Sequence, residues 1–267
     1  VVDSVHESKY DWQELLSLVA FLRSDRGCPW DREQTHGSIR QNLLEEAYEV
    51  CEAIDSGDSA HLCEELGDLL MQVVFHARIA EESGSFSLGD VIDGLCRKLV
   101  TRHPHVFRDA TAGSADEVLA IWEEIKQGTR GQTTQHGAMQ SVSRGLPALM
   151  RAEKIQSKAS KVGFDWPDVS GAWDKLMEEL SELRDAVSSG VGMEEELGDL
   201  LFSAVNVSRF LKVGAERALE RACDKFTDRF GRVEGAAISQ GRSLREMTLA
   251  EMDLLWENEK VTDGTIT

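Results

Sequence analysis

Apolar residues recur every three to four positions through most of the chain, as in Leu15, Leu18, Val19 and Leu22 and again in Leu43, Leu44, Ala47, Val50 and Ile54. That spacing lays one apolar stripe along a helix. Runs with a two-residue alternation of β-branched and aromatic residues are missing. The four prolines, Pro29, Pro104, Pro147 and Pro167, fall in stretches that read as connections between helices. The pattern predicts an all-α protein. Between Gly128 and Gly145 the period stops; this stretch holds three Thr, three Gln and four Gly and reads as a linker.

The two sides of that linker carry the same landmarks in the same order. Gly27-Cys-Pro-Trp30-Asp answers Gly163-Phe-Asp-Trp166, and Leu44-Glu45-Glu46-Ala-Tyr-Glu49 answers Met177-Glu178-Glu179-Leu-Ser-Glu182. Glu64-Glu65-Leu-Gly67-Asp68 answers Glu195-Glu196-Leu-Gly198-Asp199. Lys98 and Arg102 answer Lys225 and Arg229, and Trp122 and Lys126 answer Trp256 and Lys260. The offset drifts between 127 and 136 while the order holds, which identifies a tandem duplication of one helical module. The duplication predicts a first module over residues 10–127, a linker over 128–145 and a second module over 146–261.

Charge narrows the partners. The 267 residues carry 29 Lys and Arg against 48 Asp and Glu, a net charge of −19. A sequence-independent grip on nucleic-acid phosphates is therefore not expected, and a phosphate ligand needs a cation as bridge. The apolar run from Leu69 to Phe75 is bounded by Asp68 and His76, far short of a membrane span, so no membrane partner is expected. The first residues carry Asp3, Glu7 and Asp11 with no basic stretch leading into an apolar core, unlike a secretory signal. Five widely spaced cysteines without a C-x-x-C pair read as thiols of a reducing cytoplasm.

The acids carry the chemistry. Glu46 and Glu49 are three apart and share a helix face, as do Glu65 and Asp68; the second module repeats this with Glu179 and Glu182, then Glu196 and Asp199. Folding each pair of helices into an antiparallel hairpin, turned at Asp55–Ser59 or at Ser188–Gly192, brings four carboxylates together. Acids embedded among Leu66, Leu69, Leu70, Val73, Val74 and Phe75 predict a helix buried on nearly every side. Convergent anions there repel and are costly to desolvate unless a cation neutralises them. Oxygen donors without His or Cys favour Mg²⁺, with Mn²⁺ as a substitute, over zinc. A di-iron bundle needs Glu-x-x-His on two of its helices, and the acid-bearing stretches have none.

The ordered set of G-C-P-W-D, E-E-x-x-E, E-x-x-D, K-x-x-x-R and W-E-x-x-K, running from about Tyr10 to Lys260, resembles the two-module members of the MazG nucleoside triphosphate pyrophosphohydrolases. The resemblance implies tandem four-helix-type modules of the all-α NTP pyrophosphatase fold and a homodimer. It further implies Mg²⁺-dependent hydrolysis of NTPs and dNTPs to monophosphate and pyrophosphate, with broad base specificity and a housekeeping role over the nucleotide pool. By the same resemblance Glu179, Glu182, Glu196 and Asp199 bind the metal, and Lys225 and Arg229 face the triphosphate. Trp256 contacts the nucleotide, Lys260 reaches a phosphate, and Lys126 reaches the second site from the end of the first module. A carboxylate such as Glu178 or Glu179 takes the proton of the attacking water. The alternatives are a narrower dUTP or phosphoribosyl-nucleotide pyrophosphohydrolase and a non-catalytic nucleotide-sensing dimer module. Because the second module can draw on Lys126 before it and Lys260 after it, whereas no lysine precedes the first module at the matching distance, the nearest being Lys9, turnover is expected in the second.

Overall fold

The computed structural model describes residues 9–108, 113–114, 117–118, 125 and 134–263. Every regular element among the described residues is helical, and the chain divides into two compact units, Val1–Lys126 and Gln127–Thr267. Among the described residues no helix is long and apolar enough to cross a membrane.

The first unit contains α1 (Trp12–Leu22), the short α2 (Pro29–Glu33), α3 (Arg40–Ser56), α4 (Ser59–Glu82), α5 (Leu88–Arg102) and the single turn α6 (Pro104–Phe107). Helix α1 starts where Asp11 and Glu14 exchange side-chain and backbone hydrogen bonds, a capping box. Helix α3 stops at Gly57, whose φ of 72° suits a residue without Cβ. The Asp58 carboxylate then accepts from the Ala60 and His61 N–H groups and opens α4. So short a connection folds α3 back on α4 as a hairpin.

Val19, Ile39, Val74 and Phe75 form the core of this unit, with Leu15, Leu16 and Met71 packed against them. Burial of α4 is one-sided: Val74, Phe75, Ala77 and Ala80 are buried, whereas Leu66, Leu70 and Val73 are exposed. The expectation of a helix enclosed on nearly every side is corrected here. The hairpin, covered by α1 and the start of α5, supplies a single core face, and the acid-bearing half of α4 projects beyond it.

A buried arginine ties the loop before the hairpin to its end. The Arg23 guanidinium pairs with Glu82 at 2.8 Å and donates to the carbonyls of Asp31 at 2.5 Å and Gln34 at 3.2 Å. It also lies over the Phe75 ring. Hydrogen bonds from Arg23 and, next, Arg78 hold the Glu82 carboxyl below its ordinary range.

The second unit contains α7 (Gln135–Gln140), α8 (Ala148–Ser160), α9 (Val169–Ser189), α10 (Met193–Phe210), α11 (Ala215–Ser239), a 3-10 turn (Leu244–Glu246) and α12 (Leu249–Asp263). Helix α7 lies inside the stretch whose composition predicts a linker. The Thr134 hydroxyl caps it by accepting from the Gly137 N–H, and Ala138 and Val142 are buried. Six residues are too few for an apolar period to register in the sequence. Helices α9 and α10 form the second hairpin, with Gly190 and Gly192 in the left-handed region at its turn. Helix α8 packs on α10 and α11, where the buried Gln156 donates to the Phe202 carbonyl at 2.7 Å. Arg209 at the end of α10 grips Asp165 of the preceding loop through both nitrogens, at 2.6 and 2.9 Å. Both units thus pin the loop before their hairpin with an arginine and a carboxylate, the signs exchanged between loop and helix.

Replacing Arg23 by Met is expected to cost the first unit about 2–4 kcal/mol, because Glu82 and two carbonyls lose a buried charged donor. Urea denaturation with amide exchange across residues 28–39 checks this; unchanged protection there would show that the arginine is not the tie.

Candidate functional site

Each hairpin gathers acids from both of its helices. In the first, Glu46 and Glu49 of α3 and Glu65 of α4 each place one carboxylate oxygen within 4.8 Å of the others. In the second, Glu179 of α9 and Glu196 and Asp199 of α10 do the same. The cause is local: residues three apart share a helix face, and the glycine turns fix which faces meet.

The structure therefore joins three of each predicted four. Asp68 lies beside the first trio and Glu182 beside the second, and electrostatics mark their proximity. Glu46 titrates above its ordinary range, first through desolvation and then through the charges of Asp68 and Glu49. Glu182 is raised likewise by desolvation, then by Glu179, with Lys175 opposing. Protonation or a cation relieves such crowding.

The two sites neutralise their acids differently. In the second, the Lys175 ammonium stands 2.7 Å from both Glu178 and Glu179, and these contacts raise its pKa. Glu179 is only 4% exposed, and its Oε2 is buried without a hydrogen-bond partner. In the first, His61 meets Glu65 at 3.1 Å, and Asn42 occupies the position that Lys175 holds in the repeat. Sequence reasoning passed over both Lys175 and His61. Their signal was present: each stands four residues before a cluster acid, within reach on the same helix face.

The basic and aromatic candidates lie on other helices. Lys225 and Arg229 are one turn apart on α11, and Trp256 and Lys260 one turn apart on α12. The Trp256 ring packs against Phe226 at 5.0 Å between centroids and lies under the Arg229 guanidinium, also at 5.0 Å. Lys225 lines a shallow cleft of about 340 Å³ with Arg221, Asp224, Asp228 and Arg232. Lys260 pairs with Glu257 of its own helix. Lys98 and Arg102, their counterparts in the first unit, lie along α5. Lys126 and Trp122 fall outside the described residues.

Comparison with known proteins bears on both hairpins. The model of the MazG nucleotide pyrophosphohydrolase domain matches residues 34–107 and 171–233, segments that contain all eight predicted metal acids. The nucleoside triphosphate pyrophosphohydrolase/pyrophosphatase MazG of Thermotoga maritima is 46% identical over 254 residues, covering 95% of this chain and 97% of that protein. The nucleoside triphosphate pyrophosphohydrolase of Escherichia coli strain K12 is 45% identical over 251 residues, covering 92% and 95%. The uncharacterized protein YabN of Bacillus subtilis is 45% identical over 257 residues, which span 95% of this chain but 52% of that protein. With the domain matched twice, once at each acid-bearing hairpin, and with likeness along nearly the whole length of two relatives, the chain belongs to the MazG family of nucleotide pyrophosphohydrolases.

Proposed function

We propose that this chain hydrolyses nucleoside triphosphates to the monophosphate and pyrophosphate with a divalent cation held in the second module. The observation that carries the reading is the carboxylate trio of Glu179, Glu196 and Asp199, in which a buried oxygen of Glu179 lacks a partner. The activity is the one named for the relatives from Thermotoga maritima and Escherichia coli.

An all-oxygen donor set of this density fits Mg²⁺ or Mn²⁺. Glu179, Glu196 and Asp199, with Glu182 beside them, are the residues that would hold the ion; Glu46, Glu49, Glu65 and Asp68 are their first-module counterparts. When bound, the cation lowers the pKa of a coordinated water and offsets charge on the triphosphate. The chain's own residues do the rest. A carboxylate of the Glu178 and Glu179 pair takes the proton from the water that attacks the α-phosphorus. Lys225 and Arg229, one turn apart on α11, stabilise negative charge as pyrophosphate leaves, and Lys260 extends that field. The Trp256 ring offers a face to the base, a contact open to purines and pyrimidines alike, which supports broad base specificity.

The same reading makes the enzyme a homodimer of the cytoplasm. Val91, Ile92, Leu95 and Leu99 form an exposed apolar stripe on α5, and Leu219, Phe226 and Phe230 are exposed on α11. Apolar faces of this kind mark association surfaces, and a second copy is the partner proposed. All five cysteines are thiols, which suits a reducing compartment.

Three measurements check the proposal. Phosphorus NMR of ATP or dGTP incubated with Mg²⁺ and the protein should show monophosphate and pyrophosphate; diphosphate with orthophosphate would refute α–β cleavage. Glu196→Gln with Asp199→Asn should lower turnover at least ~100-fold while keeping helix content, since charge is removed and shape nearly kept. The matched pair Glu65→Gln with Asp68→Asn should retain most activity. The opposite ranking would move the reaction to the first module, and activity within about threefold of the parent in both variants would remove the acids from the site. Sedimentation equilibrium should return twice the chain mass; a monomer at micromolar concentration would refute pairing through the exposed faces of α5 and α11.

A further inference from the structure

The repeats differ at the point where a cation meets the acids. Lys175 stands one helical turn before Glu179 on α9, and its ammonium is shared at 2.7 Å between that acid and the exposed Glu178. The Glu179 side chain is 6% exposed, so its charge needs a counter-ion whether or not a metal is present. Lys175 supplies one at Oε1 but leaves Oε2 buried and unpartnered. The ammonium thus neutralises the carboxylate without saturating it.

The first module is built otherwise. Asn42 stands where the repeat has Lys175, and Glu65 is met by His61, which is charged only when protonated. Conversely, Gly192 stands where the second module would need the counterpart of His61. Among the described residues, a permanent cation is therefore tethered to the second acid cluster through its own helix, and the first has His61 in that role.

We infer that Lys175 is a resident counter-ion holding the place of the divalent cation at Glu179, so that an ion entering the second module must displace its ammonium, whereas the first module has Asn42 at that position. This rests on the metal reading proposed above. A divalent ion bound to Glu179 would stand within a few ångströms of the ammonium, and like charges at that distance repel strongly where water is partly excluded. Displacement is open to Lys175 because its side chain is one third exposed, sits on a flexible stem and already shares its donors with Glu178. The arrangement lets the cluster fold without metal and sets its metal affinity below that of an uncontested set of the same acids. Lys175 is in this sense a positioning residue acting on Glu179.

The test is direct binding of Mn²⁺ alone, without nucleotide. The full chain carrying Glu65→Gln, which removes an acid of the first cluster, is titrated with Mn²⁺ while the free ion is read from its electron paramagnetic resonance signal. Adding Lys175→Met should tighten binding by roughly tenfold, the scale of removing one nearby unit charge at a partly exposed site. Lys175→Gln, which loses the charge but keeps a donor, should do the same, and it decides the matter if the Met variant loses helix content by circular dichroism. Unchanged or weaker binding in the folded variant would overturn the inference while leaving the metal reading intact. Absence of binding in the parent and in both variants would overturn the metal reading itself.

Discussion

Like charges crowded on a helical hairpin are the constraint from which the rest follows. Each hairpin brings three carboxylates to within 4.8 Å of one another, with a fourth beside them. Water alone does not relieve that arrangement where the acids are partly desolvated, as the raised pKa of Glu46 records. Holding the acids together costs stability, so the structure around them is what has to resist separation. The glycine turns at Gly57, Gly190 and Gly192 fix the hairpins, and the arginine ties at Arg23 and Arg209 anchor the loops before them.

Duplication has left the frame of these sites alike and their neutralisation different. Acids occupy equivalent positions in the repeats, but their partners come from opposite helices of the hairpin: His61 from the second helix, Lys175 from the first. Neither partner alters the frame, since each reaches a neighbour one turn away on its own helix. At these positions the difference between the modules changes charge without disturbing the hairpin. Under the proposed metal reading, such a difference would set the two clusters apart in how tightly they hold an ion.

Much of this was legible in the sequence because helix periodicity and i, i+3 spacing act locally. The all-α class followed from the apolar period, and the duplication from ordered landmarks that survive insertion. The pairing of Glu46 and Glu49 with Glu65 required only that the chain reverse near Gly57. What was not legible depends on three-dimensional extent. Leu66, Leu70 and Val73 look like core in sequence, yet one hairpin face is all the unit buries, and hydrophobicity does not say which apolar face a partner covers. Helix α7 escaped because six residues rest on a cap and one small buried side chain, Ala138, below the length at which periodicity speaks. Lys175 was overlooked because a lysine beside glutamates on a helix reads as a solvated ion pair. Burial of Glu179, a property of α9 packed in its unit, is what distinguishes it.

The separation of charges onto different helices bears on selectivity. A chain of net charge −19 repels polyanions at a distance, and the acids of α9 and α10 strengthen that repulsion locally. Under the proposed reading, a triphosphate approaches with its charge reduced by a divalent ion, presenting a cation to the carboxylates and the remaining anionic oxygens to α11 and α12. Bare nucleic acid offers no such pairing: its phosphates are dispersed along a chain, and its counterions are diffuse rather than chelated. Under that reading, the same acids that would hold the ion would also repel bare polyanions. Net negative charge, which at first sight argues against any phosphate ligand, becomes a filter for small, metal-complexed ones.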